Sequence, residues 1–268
     1  KHLRRAVHWS AGVHECWSAD QHDKWQWFRL FLHVGLDNFS NYILWLKVWW
    51  TNSNPWLIAS FYLEAASRFQ GILLLTQSDP GSENHGMANA QTTLHQMLDP
   101  DLHGMLQHQW MCSHSNIKPE IFWLKLWHQW AEGWEAMFQE GLDEGWYHSN
   151  DELEHLVFHW LMVPMIQANL DHFGHIHNSS KPCKDNKKAM PAEIPAMLLE
   201  NPAAYGPYHD YKAKHLEIAG HLYAPAGHEV FQLVPQTFAE HAQHAYIVLC
   251  HPEVNCASFW EVYSLMLH

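Results

Sequence analysis

Residues 72–86 read ILLLTQSDPGSENHG, and the reading of their middle decides the fold. An apolar run ends on Asp79, a Pro-Gly turn follows, and Glu83 and Asn84 come next. Asp, Pro, Gly and Ser are ordinary turn residues, so a strand running into a turn accounts for the pattern with no further role. The alternative is that a buried strand acts as a rigid rod and holds Asp79 where something charged is bound. Which reading applies depends on what else in the chain reaches the same point.

At 268 residues, 47% of them hydrophobic, the chain can bury a substantial core in one or two domains. No run of 18 or more apolar residues is present, so no membrane span is expected. The sequence starts at Lys1 and reads as a fragment, and KHLRR leads into no apolar segment of the kind a signal peptide needs. Cys16, Cys112, Cys183, Cys250 and Cys256 are scattered without a CxxC pair. That argues against a zinc knuckle or a disulfide framework and fits a reducing, intracellular location, nuclear or unknown, rather than secretion.

The charge is unusual. Lys and Arg total 15, and only Arg4, Arg5, Arg29 and Arg68 are arginines, against 25 His and 16 Trp. The formal charge is −13 with His neutral. At an ordinary pKa near 6.5 about a quarter of the histidines are charged at pH 7, adding roughly +6, so the balance stays acidic. A strongly acidic chain is a poor binder of a phosphate backbone.

Along the chain, residues 15–25 predict a strand reaching Asp20 and then a turn. A second strand covers 27–37, and a third covers 41–50, paired back through DNFS. The period then changes to helical: Asn52 or Ser53 is the expected cap and Pro55 suits the first turn. A fourth strand, 72–78, precedes a helix over 86–98, and a short strand is expected over 106–113. From Lys118 the chain is helical for about 28 residues, interrupted near Gly133, with Pro119 in the first turn. A further helix runs from Asp151 to about His175, kinked at Pro164. Residues 177–195 form a polar connection, and helices are expected around 211–223, 236–249 and 257–267. Strands that pair antiparallel and then cross over through helices give a mixed α/β sheet covered by helices.

Asp20 ends the first expected strand, Asp79 ends the fourth, and Glu120 lies in the first turn of the long helix; the intervals are 59 and 41 residues. If the first and fourth strands are neighbours, Asp20 and Asp79 meet, and a helix packed across that end adds Glu120. Convergent carboxylates repel unless a cation lies between them, and oxygen ligands favour Mg²⁺ or Mn²⁺. Two such ions about 4 Å apart clamp the attacking and leaving oxygens of a phosphoryl displacement. Each acid alone reads more readily as a turn or cap residue than as a ligand.

Four motifs in order carry a resemblance. They are Trp17, Asp20 and Lys24; Gly35, Asp37, Phe39 and Ser40; Asp79, Gly81, Glu83 and Asn84; and Asn116, Glu120 and Trp123. Over about residues 3–205 the chain resembles the catalytic core of DDE integrases and transposases, the retroviral integrase superfamily. It looks closest to integrase core domain proteins scattered through fungal and animal genomes.

The resemblance implies an RNase H-like fold, a five-stranded mixed sheet flanked by helices with a helical C-terminal extension. It divides the chain into a catalytic core (1–145), a helical extension (146–204) and a C-terminal helical region of unknown role (205–268). By the same resemblance Asp20, Asp79 and Glu120 are the catalytic, metal-binding triad for two Mg²⁺ or Mn²⁺ ions. The implied activity is polynucleotidyl transfer in DNA integration, carried out by multimers. Lys24, Asn84 and Asn116 are candidates for contact with the DNA partner.

Gln21 stands where that family usually has Gly, Asn41 where it has Arg, and Gln77 where a basic residue is common. C→T changes turn CGN arginine codons into Trp, Cys, His or Gln codons. The missing Arg and surplus Trp and His therefore fit a transposable-element copy decayed by cytosine deamination. The rival reading of function is a decayed or domesticated, catalytically inactive integrase fold that acts as an interaction module.

Other clusters read more plainly. Glu152, His155 and His159, and His172, His175 and His177, fall together by chance in so histidine-rich a chain, since no second Glu-x-x-His copy accompanies them. Trp123, Trp127, Trp130 and Trp134 lie on one helical face and read as core rather than a base-stacking platform. KPCKDNKK (181–188), which includes Lys187 and Lys188, reads as a solvated loop rather than a phosphate contact.

Overall fold

A computed structural model describes residues 9–112, 115–183, 190–207, 211–212 and 214–268. In chain order come β1 (Cys16–His22), β2 (Phe31–Asp37), β3 (Ile43–Trp49), α1 (Pro55–Phe69), β4 (Gly71–Ile72), β5 (Leu75–Ser78) and α2 (His85–Leu98). Then follow β6 (His108–Trp110), α3 (Ile117–Leu126), α4 (Glu132–Asp143), α5 (Glu152–Ser179), α6 (Pro195–Glu200) and β7 (Tyr211–Lys212). The chain closes with α7 (Leu216–Tyr223), α8 (Gln236–Val248) and α9 (Phe259–Leu267).

The main sheet has the order β3-β2-β1-β5-β6. β1, β2 and β3 pair antiparallel, whereas β5 joins β1, and β6 joins β5, in parallel. This is the mixed five-stranded, helix-flanked sheet of an RNase H-like fold, as expected. Alternation along the strands sorts side chains between two cores. Leu32, Val34 and Leu36 of β2 face a cluster built with α3, α4, α5 and α9. Trp17 and Ala19 of β1 face a second cluster built with α1, α2 and α7.

Gly35 marks a close approach within the sheet, because an added Cβ would fall inside the Trp45 indole. The hairpin that follows is tied by Asp37. Its Oδ1 accepts the His14 N–H at 2.9 Å, and its Oδ2 accepts the Ser40 N–H at 2.8 Å and the Ser40 hydroxyl at 2.7 Å.

Several boundaries differ from expectation, each for a physical reason. The strand expected over 72–78 is divided, with Gly71 and Ile72 pairing with β7 in a separate ribbon. Leu73 is fully buried, and its carbonyl accepts from Gln91 Nε2 at 2.8 Å and bonds His95 Nε2 at 2.7 Å, so α2 takes the place of a ladder partner. Asn54, rather than Asn52 or Ser53, caps α1 by accepting the Trp56 N–H at 2.9 Å. The break in the long helix is a π turn over Trp127–Ala131 rather than a stop at Gly133. α5 includes Pro164 and runs on to Ser179, past the end expected near His175.

Residues beyond 205 complete both cores. Phe259 and Tyr263 of α9 are fully buried in the first, and Trp260 Nε1 donates to Met137 O at 3.0 Å. Ala219 and Val230 enter the second, while the indoles of Trp49 and Trp50 donate to Val230 O (2.8 Å) and Gln232 O (2.9 Å). Packing therefore runs across the boundaries expected after 145 and after 204.

Candidate functional site

The parallel ladder explains the first interval in the sequence. Cys16 pairs with Leu75, Trp17 with Thr76 and Ser18 with Gln77, so partners differ by 59 residues, the separation of Asp20 from Asp79. Continued by two positions, that register sets Asp79 beside Asp20 at the same end of the sheet. In-register residues of a parallel pair share a face, and the two acids have the parity of Ser18 and Gln77. Asp20 is partly buried within β1, and Asp79 is exposed one residue beyond β5.

Helix α3 lies across this end and is pinned to β1 at consecutive residues. Asn116 Nδ2 donates to Ala19 O at 2.9 Å, and Trp123 Nε1 donates to Asp20 Oδ2 at 2.9 Å. Positions 116, 120 and 123 recur at i, i+4 and i+7, one face of a helix. Glu120 thus stands on the face that meets β1, between the two pins. Asn116 also accepts from Gln77 Nε2 at 3.3 Å, which ties β5 to the same bracket.

Burial pushes the Asp20 carboxyl from its ordinary 3.8 up to about 7; the Trp123 indole opposes the rise, and the charges of Asp79 and Glu120 add to it. Asp79 and Glu120 therefore both act on Asp20 through space. An all-oxygen donor set under mutual repulsion has the chemistry of a hard divalent-cation site. Among the described residues, no three His, Cys, Asp or Glu side chains are grouped at ligand spacing. The carboxylates share one end of the sheet without closing on a single point.

The other expected site residues divide by exposure. Lys24 is exposed, ion-paired with Glu135 at 3.0 Å and lying 4.0 Å over the Trp127 ring. Asn84 and Asn116 are buried, at 0% and 1% exposure. Asn84 Nδ2 donates to Asp79 O at 3.1 Å, and Asn84 Oδ1 accepts from Gln21 Nε2 at 3.0 Å, so it joins the tips of β5, β1 and α2. Both amides are spent on holding the strand ends together.

Sequence reasoning missed Trp123 as the partner of Asp20. The available signal was its place three residues after Glu120, on the same helical face. It also missed His108 of β6, whose ring lies 2.8 Å from Thr76 Oγ1 and 3.2 Å from Ser78 Oγ, bracing the tip of β5 just before Asp79. Nothing in the local sequence announces that contact.

The tryptophans at 123, 127, 130 and 134 all pack against the first core, as expected. His155 bonds the Tyr147 hydroxyl at 2.6 Å and Ser149 O at 2.7 Å, and His159 bonds Phe28 O at 3.0 Å, so both brace the helix bundle. Glu152 is exposed and pairs with Arg29 at 3.4 Å. Of KPCKDNKK, residues 184–188, with Lys187 and Lys188, lie outside the described residues, as do Arg4 and Arg5. Among the described residues no helix is long and apolar enough to cross a membrane.

A family model described as an integrase core domain matches residues 7–201. No curated protein matches the chain. The family match covers β1 to β6, all three acids and the helices that position them. The chain belongs to the integrase core domain family.

Proposed function

We propose that this is the catalytic core of a transposon-derived integrase, in which Asp20, Asp79 and Glu120 hold two divalent ions, Mg²⁺ or Mn²⁺, at the end of the sheet. The observation that carries the proposal is the parallel β1–β5 register, which runs on toward Asp20 and Asp79 at one end of the sheet, where burial and the charges of Asp79 and Glu120 raise the Asp20 carboxyl. When bound, the ions supply Lewis-acid activation of water or a DNA 3′-hydroxyl and neutralise the phosphodiester. Asp20, Asp79 and Glu120 are the residues that would hold them. Asp79 is exposed just beyond β5, so an ion from solvent would reach its carboxylate.

Asn84 and Asn116 serve this site by fixing the strand tips rather than by touching DNA. Lys24 remains the DNA contact of the three, because an exposed ion pair such as Lys24–Glu135 costs under about 1 kcal/mol to exchange for a phosphate. The reading implies work on chromosomal DNA, hence in the nucleus, and assembly of several copies on that DNA. Kinship with fungal copies rests on the four motifs.

The test is Mn²⁺-dependent nicking or strand transfer on labelled oligonucleotides, with wild type compared with Asp79→Asn. The expected result is loss of activity in the variant; equal activity in both removes the catalytic reading.

A second reading, an inactive integrase fold retained as an interaction module, is favoured by the charge of −13 and by the open arrangement of the acids. It predicts that wild type neither nicks DNA nor gains thermal stability from Mn²⁺.

A further inference from the structure

The bonds around Glu120 form a pattern that the triad alone does not require. Asn116, the residue just before α3, and Trp123 within it, four residues before Glu120 and three after it, reach neighbouring residues of β1. Asn116 takes the Ala19 carbonyl, and Trp123 takes one carboxylate oxygen of Asp20, both at 2.9 Å. A helix held at one point can roll or slide on a sheet. Held at two points more than a turn apart on one face, it cannot move without breaking a buried hydrogen bond.

Trp123 is itself held. It is 7% exposed, its ring stacks on His22 at a centroid distance of 5.1 Å, and Phe122 meets it edge-on at 5.4 Å. The indole therefore has a fixed direction, and its N–H, together with the backbone N–H of Gln21, orients the Asp20 carboxylate. We propose that Trp123 is a positioning residue for the cation site: it sets the orientation of the Asp20 carboxylate and, with Asn116, fixes against β1 the turn of α3 that carries Glu120. The inference rests on the assignment of Asp20 as a ligand and goes beyond it by adding a residue that touches no cation. Partners that orient metal ligands are worth 10- to 100-fold in metal affinity.

The test is Mn²⁺ binding to the full chain, read as free-ion electron paramagnetic resonance, for wild type, Asp20→Asn and Trp123→Phe. Phe keeps an aromatic ring against His22 and removes the donor together with part of the ring volume, a packing loss that the stability control reads. Weak binding in Asp20→Asn together with a dissociation constant about 10-fold weaker in Trp123→Phe supports the proposal. Melting temperatures in chelator serve as the control, since a purely structural role lowers stability and leaves the affinity of the folded fraction unchanged. Weak binding in Asp20→Asn with wild-type binding in Trp123→Phe overturns the proposal and leaves the triad standing. Wild-type binding in Asp20→Asn overturns both.

If Trp123→Phe does not fold, ¹⁵N-indole spectra of the wild type decide. The indole resonance displaced by Asp20→Ala must also move when Mg²⁺ is added. Its indifference to Mg²⁺ overturns the proposal.

Discussion

Replacing Asp20 by Asn in the metal-free protein is expected to stabilise the fold, by an amount that depends on pH in a defined way. The unfolded chain ionises Asp20 near 3.8, whereas burial, with Asp79 and Glu120 alongside, holds the folded carboxyl up to about 7. Between those values the native state keeps a proton that the unfolded state has lost. Stability therefore falls as pH rises through the window and levels off above it. Each pH unit in the window costs about 1.4 kcal/mol, so the burden grows from under about 1 kcal/mol at pH 4 to about 4 kcal/mol at pH 7. Asn carries no such charge, and its Oδ1 still accepts the Trp123 indole.

The assay is urea denaturation of both proteins in chelator at pH 4 to 8, read as the difference in unfolding free energy. Buried histidines such as His33 and His108 shift stability in the opposite direction, but they do so in both proteins and cancel in the difference. A difference that stays constant with pH, or an Asn variant that is the less stable protein at pH 7, refutes the reasoning.

Other outcomes follow from the same geometry. Saturating Mg²⁺ at 100 times its dissociation constant is expected to add about 2.7 kcal/mol to the wild type and almost nothing to Asp20→Asn, measured by thermal melting. Gly35→Ala pushes a methyl into the Trp45 indole and is expected to cost about 1–3 kcal/mol, visible as a lower urea midpoint at unchanged slope. Asp37→Asn turns an acceptor that takes three N–H and O–H donors into a half-donor; a loss of about 2–3 kcal/mol by the same assay is expected. Burial holds the His159 imidazole down at about 4, so its NMR titration should show a neutral ring until near that pH. Because the unfolded imidazole protonates near 6.5, that residue's contribution is full above 6.5 and is lost as pH falls toward 4, up to about 3 kcal/mol.

The apolar and aromatic run over 27–37 and the β-branched and aromatic run over 41–50 were enough to predict the hairpin of strands, because such side chains suit a pleated, half-buried surface. The 59-residue interval between Asp20 and Asp79 was legible too, although it acquires meaning only when β1 and β5 lie side by side. The switch to helical period at Pro55, and the single face shared by the tryptophans from 123 to 134, could likewise be read locally. Element ends were less legible. Asn52, Ser53 and Asn54 are all competent caps, and the choice of Asn54 depends on where α1 must start in order to pack.

Tertiary structure alone decided the rest. It bent the chain at Leu73 so that the carbonyl could meet Gln91 and His95, and it drew α9 into the core against Phe158. It also turned Asn84 and Asn116 inward, and it set the Trp123 indole against Asp20 across 103 residues of chain. Those contacts are hydrogen bonds and packing between surfaces remote in sequence. Their partners are chosen by which faces the sheet and helices bring together, and no local pattern of residues encodes that choice.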